Sequence, residues 1–107
     1  MTEHRPGLHL SRVADVPGAR RVDSATTKAA VIRAIHRAVD APDWAAPNLD
    51  ALADVLRDLS WLPAGPVVLV WPRPAVRDAD AIVDVVREVA AESEGSDRPL
   101  TVYLVEE

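Results

Sequence analysis

The stretch "NLDALADVLRDLSWLPAGPVVLVW", residues 48–71, reads in three pieces. Leu49, Leu52, Leu56 and Leu59 recur at helical spacing, which predicts an amphipathic helix to about Leu59 with Asn48, a good N-cap, at its start. "LPAGP" (62–66) is a turn. "VVLVW" (67–71) is an unbroken apolar run, mostly β-branched, of the kind that forms a strand covered on both faces. A helix that turns directly into a doubly covered strand points to an α/β domain with a parallel sheet.

The flanking sequence extends the pattern. Upstream, "ARRVD" (19–23) fits a short strand. In "TTKAAVIRAIHRAVDAP", Thr26 or Thr27 can cap a helix whose inner stripe is Val31, Ala34, Ile35, Ala38 and Val39. Arg33, His36 and Arg37 are expected on its outer face, and Pro42 stops it. "PDWAAP" is the loop into Asn48. Downstream, "PRP" (72–74) ends the strand. Asp78 can cap a third helix, with Asp80 in its first turn and Ile82, Val85, Val86, Val89 and Ala90 turned inward. "SEGSDRP" is a loop and "LTVYLV" (100–105) a final strand. Trp61 and Trp71 flank buried apolar runs and are expected in the core. The predicted fold is therefore a small single α/β domain, a three-stranded parallel sheet packed with three helices through right-handed crossovers. "LHL" (8–10) alternates and fits an edge strand, but residues 1–19 are otherwise uninformative and read as an N-terminal extension to a domain at 20–107.

Composition narrows the function. A chain of 107 residues with 49% apolar content makes one domain with its own core. It has no cysteine, which excludes disulfides, thiolate metal sites and cysteine nucleophiles. No apolar run is long enough for a secretion signal or a membrane span, so a soluble cytoplasmic protein is expected. Eleven of its twelve basic residues are arginine, a usage typical of GC-rich bacterial genomes. Its four glycines form no phosphate-binding loop. There is no nucleophile elbow, and the three histidines lack metal-ligand spacing. No enzyme activity, metal or cofactor is expected.

Charge is distributed unevenly. Residues 1–37 carry seven basic and three acidic side chains, whereas residues 38–107 carry five basic and fourteen acidic. Such an acidic surface repels nucleic acid and attracts cationic partners. Within it lie two stripes at i, i+4, i+8: Asp50, Asp54 and Asp58, then Asp84, Glu88 and Glu92. Like charges four apart repel by a few tenths of a kcal/mol. Arg57 and Arg87, each three residues from an aspartate, can offset part of this locally. The stripes read either as solvated faces or as a surface held ready for a basic partner.

"PDWAAPNLDALADVLRDLSWLP", followed by "VVLVW", "DVVREVAAE" and "LTVYLV", resembles the barstar family over about residues 20–106. The core of the resemblance is the ungapped run from Trp44 to Asp54. It implies a small cytoplasmic inhibitor of barnase-type, guanyl-specific ribonucleases, forming a 1:1 complex with a secreted microbial enzyme and needing no cofactor, nucleic acid or membrane. On this resemblance Asp54 matches the aspartate that occupies the enzyme's phosphate site. Asp50 matches a second interface aspartate, Trp44 an aromatic that packs on the enzyme, and Glu88 a glutamate at the interface edge. Asn48 and Ala53 lie in the same motif, Asn48 as the helix cap and Ala53 where barstar has an interface tryptophan. Ala45, Ala46 and Pro47 replace a glycine-containing loop. These departures leave open an immunity or regulatory adaptor that binds a non-ribonuclease toxin or another basic partner.

Overall fold

Seven elements follow one another along the chain: β1 (Gly7–Ser11), β2 (Arg20–Arg21), α1 (Lys28–Ala38), α2 (Leu49–Asp58), β3 (Val67–Pro72), α3 (Ala79–Glu92) and β4 (Leu100–Val105). The computed structural model describes residues 4–13 and 15–106; residues 1–3 and Ala14 of the expected extension, and Glu107 at the end of the expected domain, lie outside the described residues. The strands form one wholly parallel sheet in the order β1-β4-β3-β2.

The connections from β2 to β3 and from β3 to β4 each step one strand across the sheet in the same direction. Right-handed crossovers then place α1, α2 and α3 on one face. Val67, Leu69 and Trp71 of β3 and Leu100, Val102 and Leu104 of β4 meet Ile32, Ile35, Leu52, Leu56, Ile82 and Val86 there in a single core. On the opposite face Val70, Thr101 and Val105 are buried too. The unbroken apolar run of β3 thus corresponds to a strand covered on both sides.

Part of that second cover comes from the N-terminal segment. The Thr101 hydroxyl donates to the Arg5 carbonyl at 3.0 Å, and His4 Nδ1 shares a 2.7 Å hydrogen bond with the Tyr103 hydroxyl. Val13, Asp15, Val16 and Pro17 line a cavity beside Tyr103. The sheet accordingly has four strands, not the three expected. "LHL" is the heart of β1, which runs along β4 with Gly7 opposite Thr101 and Ser11 opposite Val105. Its alternation spans three residues and its partner lies some ninety residues downstream, so no local pattern announces the pairing.

Local chemistry sets the helix ends. Thr27 rather than Thr26 caps α1, its hydroxyl accepting from the Ala30 N–H at 3.1 Å. Asp78 stands at the start of α3 but makes no side-chain cap bond; its backbone carbonyl accepts from Ala81 N–H at 3.2 Å instead. Trp71 is core, as expected. Trp61 is only half-buried, because its indole N–H reaches out of the core to the Val39 carbonyl at 2.8 Å.

His36 also departs from expectation. It is 6% exposed rather than on the outer face with Arg33 and Arg37. The chain beyond α1 turns back on the last turn of the helix, with Ala41 N–H bonded to the His36 carbonyl at 2.9 Å. Its Nε2 has no hydrogen-bond partner, so a proton there would gain a charge and a donor with nothing to accept it. Burial lowers its pKa below the usual histidine value. The unfolded chain therefore binds the proton more tightly than the folded one, and stability falls as pH drops below about 6.5. His36→Leu should flatten the acid side of the stability–pH curve between about pH 6.5 and 5, as urea unfolding at stepped pH would show.

Candidate functional site

The acidic surface is assembled on α2 and α3. Asn48 is extended (φ −135°), and its Oδ1 accepts from the Ala51 N–H at 2.8 Å, which starts α2. Leu52, Val55 and Leu56 turn into the core while Asp50, Asp54, Arg57 and Asp58 stay exposed. At the other end Leu59 takes a left-handed conformation (φ +50°), with its N–H bonded to the Val55 carbonyl at 3.2 Å. That conformation costs a leucine roughly 1–2 kcal/mol, a cost offset by its fully buried side chain.

Trp44 sits on the turn before α2, closed by the Ala45 N–H to Pro42 carbonyl bond at 3.1 Å. It does not fold back over α1: the indole is 64% exposed, one of the few large apolar side chains so open to solvent. Ala53 is half-buried and packs on the core, as Ala45 does. It presents little surface of its own.

Arg57 joins the two stripes. It was expected to pair within its own helix, with Asp54. It instead crosses to α3, its Nε 3.0 Å from Glu92 Oε2 and its Nη2 3.4 Å from Oε1. The planar guanidinium can meet both carboxylate oxygens of Glu92 there, a geometry that favours this partner. Its pKa is raised first by the Glu92 hydrogen bond and charge, with further contributions from Glu88 and Asp54. Asp54 and Glu88, on adjacent helices, thus both act on the charge of one arginine. On α3, Arg87 pairs with Asp84 at 3.0 Å, as its spacing predicts.

Six carboxylates therefore share this face, and arginines occupy two of them, Asp84 and Glu92. Among the described residues Asp50, Asp54, Asp58 and Glu88 have neither a hydrogen bond nor an ion pair through their side chains. Nor do any three histidine, aspartate or glutamate side chains among the described residues converge as metal ligands. The surface can accept hydrogen bonds and attract cations. The bridging role of Arg57 was not foreseen, because spacing along one helix carries no information about its neighbour.

Comparison with known proteins bears on this arrangement. The family model described as Barstar (barnase inhibitor) matches residues 20–105. The chain belongs to the barstar family. The match begins at β2 and runs through β4, so it contains α2, α3 and all six carboxylates; β1 lies ahead of it. No curated protein matches the chain significantly. At the level of the family, barstar proteins are inhibitors that bind ribonucleases such as barnase, not enzymes themselves. No helix among the described residues is long and apolar enough to cross a membrane.

Within this barstar-family chain the cap and the acidic residues can be separated experimentally. Asn48→Ala removes the acceptor for Ala51 N–H and should cost about 1 kcal/mol of stability in urea unfolding, whereas Asn48→Asp should cost less than half of that.

Proposed function

We propose that this barstar-family protein is an intracellular, cytoplasmic inhibitor of a secreted microbial ribonuclease of the guanyl-specific, barnase type. In this reading residues 20–107 are the inhibitory module, and residues 1–19 are an extension of it. The observation that carries it is the pairing pattern on α2 and α3: Asp50, Asp54, Asp58 and Glu88 stand exposed with no side-chain partner among the described residues, while Arg87 and Arg57 pair with Asp84 and Glu92. A ribonuclease active site gathers cationic side chains to hold phosphate. A carboxylate can take the place of phosphate there through charge-assisted hydrogen bonds.

Asp54 enters the phosphate site, and Asp50 pairs beside it. Trp44 packs its exposed ring on the enzyme surface, and Glu88 contributes at the rim. Asn48 holds the first turn of α2 in place, and Ala53 leaves space that a side chain of the enzyme fills. One inhibitor blocks one enzyme. The acidic face speeds encounter with a basic enzyme, so association is fast and slows with salt.

A second reading, an immunity or regulatory adaptor for a non-ribonuclease toxin or another basic partner, is favoured by Ala53, which presents no aromatic surface. Both readings use the same face and differ in the partner.

Titration of guanyl-specific ribonucleases with the protein separates them. The inhibitor reading expects 1:1 loss of RNA cleavage with at least one such enzyme. Asp54→Ala should weaken inhibition by at least ~2 kcal/mol, roughly 30-fold, while Asp58→Ala changes it less than about threefold. Equal effects of the two substitutions would displace the interface, and full activity of every enzyme in the panel would favour the adaptor.

A further inference from the structure

β1 presents an edge unpaired among the described residues, and the centre of its sequence is symmetric. In a parallel ladder, alternate residues turn their backbone N–H and C=O toward the neighbouring strand, and those between turn theirs away. The Ser11 carbonyl accepts from Glu106 N–H at 2.9 Å, one residue past its register partner Val105. Ser11, and with it His9 and Gly7, therefore bonds to β4. Leu8 and Leu10 point their backbone groups outward, where no strand follows in the sheet order among the described residues. The Leu10 side chain is 63% exposed. Leu8-His9-Leu10 reads the same in both directions.

We propose that β1 is a self-pairing edge: two copies of the chain join antiparallel, β1 to β1, about a two-fold axis at His9. The result is one continuous eight-stranded sheet. In this register Leu8 lies opposite Leu10 of the second copy, and Leu10 opposite its Leu8. Both are outward-facing residues, so each pair exchanges two main-chain hydrogen bonds, as narrow antiparallel pairs do. All of Gly7–Ser11 is paired, and no other two-fold register overlaps the whole strand. The exposed Leu10 packs across Leu8, which already leans on the core. Charges are compatible as well: Arg12 falls opposite Pro6, which has no N–H and ends the ladder, and Arg5 falls opposite Val13.

A strand edge whose outward backbone groups meet no further strand is a template for such addition. The contact is small beside a standard interface, so the dimer is weak and concentration-dependent. It does not depend on what the acidic helices bind.

Because the chain has no cysteine, single substitutions report the register directly. In His9→Cys the two sulfurs meet in a wide antiparallel pair with Cα atoms ~4.5 Å apart, within disulfide reach. In Ser11→Cys, on the same face, the two copies of residue 11 lie ~13 Å apart, out of reach. Mild oxidation of the full chain should convert His9→Cys to covalent dimer at least about tenfold faster than Ser11→Cys. Leu10→Pro removes an outward N–H without touching the β1–β4 ladder, and combined with His9→Cys it should abolish that advantage. Leu10→Lys, which keeps the backbone and sets two like charges beside the axis, serves the same purpose if the proline shifts the urea midpoint. Equal oxidation rates, an advantage that survives both Leu10 substitutions, or sedimentation as a pure monomer up to about 1 mM would each overturn the proposal.

Discussion

Six residues of β3 lie parallel to six of β4, with Val67 opposite Leu100 and Pro72 opposite Val105, and most of the molecule follows from that ladder. Parallel partners cannot be joined by a hairpin, so the chain must cross over through a helix, α3, and the hand of that crossover fixes the face it covers. The same rule brings α2 to the same face on the way from β2 to β3. Two helices that must each bury an apolar stripe on one small sheet end up side by side. Their outward stripes, both acidic, become one surface, with Arg57 reaching from one to the other. Neither stripe would be more than a wet helix face alone.

This placement uses charge against stability in a limited way. Like charges at i, i+4 weaken a helix slightly, and on α3 the structure relieves this through Arg87 and Arg57. On α2 it does not. The helix that carries Asp50 and Asp54 is instead secured by its ends and its inner face: the Asn48 cap, the buried leucines, and Leu59 held in a conformation that its own burial makes tolerable. Carboxylates left without a hydrogen-bonded internal partner can still accept from a cation outside.

The parts of the fold that could be read from the sequence were those encoded within ten or fifteen residues. All three helices, β3 and β4 lie close to where periodicity and the turn residues put them. The exposed aspartates of α2 are legible as a pattern, and the family match covers the stretch on which the resemblance rests. The misreadings share a physical cause, which is tertiary contact. His36 is polar and sits at the margin of the helical stripe, but the folded chain buries it. Arg57 has a suitable partner three residues away and takes another on a different helix. β1, by contrast, is the edge strand that its alternation suggests, and only its place as a fourth strand of the sheet went unread, because its partner lies at the far end of the sequence.

That last pairing has a kinetic consequence. Residues 7–11 complete the sheet only against residues 101–105, so β1 has nothing to pair with in its native register until nearly the whole chain has been made. At about 5–20 residues per second, some ninety residues take roughly 5–20 s to synthesise. Throughout that interval Leu8 and Leu10 belong to an unassigned extended segment, and closing so long a loop slows the final step relative to the local α2–β3 unit. The fold is thus finished last at the edge that was made first.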